Sequence, residues 1–68
     1  MEKTLIDLTF VQELLKRFGI VIYTGDRLGD LTLMELELQD LYEWKLISKE
    51  EFLEANGILK KEMNHLSK

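Results

Sequence analysis

The residues best equipped for chemistry in this chain form a basic and aromatic group, Lys16-Arg17-Phe18 followed by Tyr23 and Arg27. Single-stranded nucleic acid is held by this combination, with cations tracking the phosphates and aromatic faces stacking on bases. Four of the five also have a structural reading: Phe18 in a core, Lys16 and Arg17 complementing the negative end of a helix, Arg27 pairing with Asp26 or Asp30. Elsewhere the chemistry thins out. Acid-base mechanisms gather groups with tuned pKa values in a pocket, commonly with histidine among them. The sole histidine, His65, lies near the carboxyl terminus, where it suits a helix's negative end. Glu35, Glu37, Asp40 and Glu43 are spread around a helix by their spacing, which describes a solvated face rather than a metal site. The run Thr24-Gly25-Asp26-Arg27-Leu28-Gly29-Asp30 lacks the GxxxxGK[ST] spacing and the lysine of a phosphate loop. Asp26 and Asp30 also lack the alternating oxygen ligands and terminal glutamate of a calcium loop, which leaves a structural turn with Gly25 at positive φ. No nucleophile stands beside a base. These features describe a non-enzymatic protein with no catalytic residue, no metal site and no cofactor.

A chain of 68 residues has room for one domain, residues 1–68, and a single core of that size supplies only about 3 to 5 kcal/mol. With no cysteine, neither a disulfide nor a cysteine-based metal staple is available, so helix packing or self-association must substitute. The same absence makes the reducing cytoplasm the expected compartment. Asp7 interrupts the apolar run of Leu5, Ile6 and Leu8 too early for a signal peptide, and nothing approaches the roughly 18 apolar residues of a membrane span. A cytoplasmic protein away from membranes is therefore expected. The formal charge of −4 weighs mildly against a partner held by its phosphates. The acidity is concentrated in residues 31–47, which carry four acidic groups and one basic one.

The elements that must position these residues are helical. Proline is absent and Leu, Glu and Lys dominate. Leu8, Val11, Leu14, Leu15 and Phe18 share one face of a first helix. Thr9 and Gln12 offer a capping box at its start, with Thr4 and Asp7 as earlier alternatives, and Gly19 marks its exit. A second helix has Thr32 and Glu35 as a candidate capping box and runs to about Lys45. Its main stripe is Leu31, Met34, Leu38, Leu41 and Tyr42, while Leu33, Leu36 and Trp44 widen the apolar arc as if neighbours lay on two sides. A third helix opens on Ser48 and Glu51 as a capping box, with Ile47 and Phe52 in the positions of a hydrophobic staple. Phe52, Ala55, Leu59, Met63 and Leu66 keep their phase across Gly57, which predicts a continuous helix. Between the first two helices, Ile20-Val21-Ile22-Tyr23 is β-branched and aromatic but has no second strand to pair with, so it should form an extended connection.

Three stretches together carry a family resemblance: Leu14-Leu15-Lys16-Arg17-Phe18-Gly19, Ile22-Tyr23-Thr24-Gly25-Asp26-Arg27, and Leu33-Met34-Glu35-Leu36-Glu37-Leu38 with Leu41-Tyr42. They resemble the YqgQ-like family, small cytosolic proteins of low-GC Gram-positive bacteria. The resemblance covers roughly residues 9 to 60 and implies an all-α, three-helix fold, with a proposed role in binding single-stranded nucleic acid and no catalytic residues. Physical reasoning then selects Lys16, Arg17, Tyr23 and Arg27 as the contacts to single-stranded RNA or DNA. The competing expectation is a self-association or protein-interaction module built on Leu33, Leu36 and Trp44, or on Ile20 to Tyr23.

Overall fold

The computed structural model describes the backbone of residues 3–67 and the side chains of residues 8–66. Three helices, α1 (Lys3–Lys16), α2 (Arg27–Glu43) and α3 (Lys49–Ser67), make an all-α bundle, with no strand among the described residues. In α1 the expected stripe holds: Leu8, Val11, Leu14 and Leu15 are buried and Phe18 packs at the core's edge. The helix starts at Lys3, so Thr9 and Gln12 lie inside it rather than at its head. The side chains of Thr4 and Asp7, the alternative caps, lie outside the described residues.

Both loops begin with the same device. After α1, the Gly19 N–H donates to the Lys16 carbonyl at 2.9 Å and the Ile20 N–H to the Leu15 carbonyl at 3.1 Å. Gly19 takes the positive φ of 75° that this closure requires, which glycine adopts without a Cβ clash. After α2 the same pair of bonds runs from Lys45 to Tyr42 and from Leu46 to Leu41, both at 2.9 Å. Here Lys45 must adopt φ 61°, a left-handed conformation costing a non-glycine residue about 1 kcal/mol.

The start of α2 differs from the sequence expectation. Asp26, not Thr32, is the N-cap: its carboxylate accepts the Gly29 N–H at 3.1 Å. Thr32 sits within the helix and donates its hydroxyl to the Leu28 carbonyl at 2.9 Å, a bond helical threonines commonly make. Arg27 is therefore the first residue of α2 rather than part of the connection. The start of α3 matches expectation. The Ser48 N–H donates to Glu51 Oε1 at 2.9 Å, the Glu51 N–H donates to Ser48 Oγ at 3.1 Å, and the helix continues unbroken through Gly57. On its inner face Ala55 and Leu59 are wholly buried, whereas Leu66 is exposed and Glu62 is buried in its stead.

Contacts along the helices fix their directions. The end of α1 meets the start of α3 through Arg17 and Glu51, and the start of α2 meets the end of α3 through Arg27 and Glu62. Between those ends of α2 and α3, Lys60 pairs with Glu35 at 3.5 Å and Tyr42 stacks on Phe52 with centroids 4.5 Å apart. Thus α3 runs antiparallel to both other helices, and α1 and α2 run parallel. They are the pair that meets least directly, because the extended connection returns between them and packs Ile20 and Ile22 onto the core. Among the described residues no further element covers the outer face of α2, and Leu33 and Leu36 are exposed on it.

Candidate nucleic-acid interface

The connection is held at both ends, and the holding residues explain its sequence. At its far end the Asp30 carboxylate, buried in the first turn of α2, accepts two bonds from Thr24: the N–H at 2.8 Å and the hydroxyl at 2.6 Å. The Thr24 hydroxyl oxygen accepts the Asp26 N–H at 3.3 Å, and the Asp30 N–H donates to the Asp26 carbonyl at 2.8 Å. Gly25 makes the turn at φ 93°. A carboxylate in the first turn also suits the positive end of the helix. Thr24-Gly25-Asp26 is thus cap and clasp in one, and it fixes the residue before it. With the period of two of extended backbone, Ile20 and Ile22 point inward while Val21 and Tyr23 point out, at 78 % and 84 % exposure.

Lys16, Tyr23 and Arg27 fall along this connection. Lys16 lines a cavity of about 210 Å³ with Gln12, Glu13, Ile20, Val21 and Ile22 among its walls. Tyr23 and Arg27 line a second cavity, about 230 Å³, with Gly25, Asp30 and Leu31. Gln12, Ile22 and Met34 are common to both, so the two hollows adjoin across the Ile22 side chain. Arg17 is not gathered with them. It reaches the start of α3 and pairs with Glu51 at 3.4 Å, and it lines neither cavity. Its charge serves the capping box there. The Ser48 N–H bond holds the Glu51 carboxyl below the usual carboxylate range; desolvation opposes this, and the hydrogen bond and charge of Arg17 add to it.

Arg27 pairs with neither Asp26 nor Asp30. Its Nη2 lies 3.5 Å from Oε1 of Glu62, across the bundle on α3. Asp30 is occupied by Thr24, and Asp26 by the helix cap. Sequence reasoning missed Gln12 and Glu62. The sequence offers Gln12 only as a capping partner for Thr9, but Glu62 follows Ala55 and Leu59 at helical spacing, a phase that foretold a place on the buried face. Among the described residues no cluster of histidine, cysteine and carboxylate side chains is arranged to hold a metal, and Glu35 is turned to Lys60. No helix among them is long and apolar enough to cross a membrane.

The family model described as YqgQ-like matches residues 2–65, which include all of the connection and the greater part of every helix. The chain belongs to the YqgQ-like family. It is similar to the uncharacterized protein YqgQ of Bacillus subtilis (strain 168), with 43 % identity over 53 residues, covering 78 % of this chain and 75 % of that one. No solved structure shows significant similarity to it. The YqgQ-like match takes in both walls of the two cavities, so the candidate interface lies wholly within the family's shared region.

Proposed function

We propose that this YqgQ-like protein is a non-enzymatic, cytoplasmic module that binds single-stranded RNA or DNA along its extended connection. The observation that carries the reading is Tyr23, an aromatic ring 84 % exposed on a clasped, non-helical segment, with Arg27 across one cavity and Lys16 across the next. Base stacking on an exposed aromatic side chain is worth about 1 to 3 kcal/mol per base and tolerates any sequence. The two cations are spaced along the same path to meet phosphates. Arg17 joins them only by leaving Glu51.

Fluorescence anisotropy of labelled single-stranded oligonucleotides, with duplex as control, tests the reading. Saturable binding that prefers single strands, falls with salt and is lost in Tyr23→Ala is expected. Failure of the wild-type protein to bind at low salt would overturn it. A second reading, self-association or capture of a protein partner, is favoured by Leu33 and Leu36 on the outer face of α2 and by Trp44 at 75 % exposure in the following turn. It predicts a mass that rises with concentration in sedimentation velocity and falls back to the monomer in Leu36→Glu.

A further inference from the structure

We propose that Glu62 is a built-in competitor for Arg27, so that the protein binds single strands in a weakened state which loss of the Glu62 charge relieves; the inference rests on the single-strand reading above. The Glu62 side chain is 7 % exposed, and among the described residues Arg27 is its one ion-pair partner, at 3.5 Å. The Arg27 side chain is 55 % exposed and lines the cavity beside Tyr23. One charge of the pair is therefore inside the bundle and the other at the proposed site. A buried carboxylate is poorly hydrated and depends on its partner. Every phosphate that engages the guanidinium draws it from that carboxylate and strands it, so Arg27 contributes little of the counterion release that a free arginine would supply.

The arrangement is not explained by the needs of the helix end. Asp26 and Asp30 already place carboxylates at the start of α2, and Asp26 caps it. Arg27, as the first helical residue, sits where a positive side chain is mildly unfavourable to the helix dipole. The Glu62 carboxylate holds it there.

The test is Glu62→Gln, which keeps the side chain's shape and removes its charge. It is measured by anisotropy on a single-stranded oligonucleotide of ten deoxythymidines across a salt series, beside wild type and the double variant Arg27→Gln with Glu62→Gln. Glu62→Gln should bind roughly three- to tenfold tighter at low salt, and its plot of log affinity against log salt should steepen by about 0.7, one added phosphate contact. The double variant should lose both gains. Equal affinity and slope in wild type and Glu62→Gln would overturn the competition while leaving the single-strand reading intact. Absence of binding by both proteins would overturn that reading and this inference with it. A check on the unaltered chain covers a variant that fails to fold: adding oligonucleotide to wild type should shift the Arg27 Nε–H and the Glu62 side-chain carboxyl carbon together in NMR spectra. A carboxyl signal that stays fixed while Arg27 moves would contradict the proposal.

Discussion

The starts of α2 and α3 solve one problem, the unpaired N–H groups of a first turn, in two ways. At α3 the solution is local: Ser48 and Glu51 exchange two bonds within four residues, and Arg17 rests against them from outside. At α2 the cap is tied into the rest of the molecule. Asp26 caps, Asp30 reaches back to clasp Thr24 and so fixes Tyr23, and Arg27 crosses to Glu62. The first arrangement starts a helix. The second also sets the position of an exposed aromatic residue and pairs the arginine beside it, which is why the proposed function gathers there.

The comparison breaks most visibly if the clasp is cut. Asp30→Ala leaves the Thr24 N–H and hydroxyl without their shared acceptor and removes a buried charged hydrogen-bond partner, so it should lower stability by about 2 to 3 kcal/mol in urea titrations. Ser48→Ala should cost about 1 kcal/mol, the usual worth of an N-cap. Equal losses would mean that the α2 junction is no more than another cap. Because the clasp also fixes the residue before it, Thr24→Val should loosen Tyr23 on the NMR timescale, with lower backbone order parameters at residues 21–25 and unchanged ones at residues 46–50.

Glycine to alanine exchanges sharpen the contrast further. At Gly57 an added Cβ meets nothing within 4 Å, and Gly57→Ala should gain about 1 kcal/mol from helix propensity alone. At Gly29 the Cβ would lie 2.7 Å from Asp26 Oδ2, the capping oxygen itself, so the propensity gain is offset by loss of the cap and the net change should be near zero. Thermal melts of the two variants should therefore separate. The smallest effect is one of pH. Glu51 has a folded-state pKa below its unfolded one, so its contribution is present above the ordinary glutamate range and is lost as pH falls through the lower folded value. In Glu51→Gln that part of the acid dependence should vanish, as followed by melting temperature between pH 6 and 3.

The same contrast explains what the sequence disclosed. Ser48-x-x-Glu51 is legible because both partners lie within one turn and need no tertiary context. Thr32 and Glu35 present the same pattern, yet the helix begins upstream of them, because Asp26 with Gly29 caps it and the fold buries Asp30 against Thr24. Helix faces and the Gly19 exit followed from periodicity and from glycine's freedom at positive φ; the matching exit at Lys45 did not, since lysine gives no such signal. Of the candidate site, the β-branched and aromatic run Ile20 to Tyr23 was readable as an extended segment, but which of its side chains face out was not. That Arg17 turns away to Glu51 and Arg27 to Glu62 depends on which helix ends meet, and pairings so distant along the chain leave no local trace.

The most direct test of the central claim is a titration of the ¹⁵N-labelled protein with a short single-stranded oligonucleotide, followed by its amide spectrum. The account predicts shifts confined to Gln12, Lys16, residues 20–27 and the surroundings of Glu62, with the signals of α3's start and of Trp44 unmoved. Shifts centred on Leu33, Leu36 and Trp44, or none at all, would contradict it.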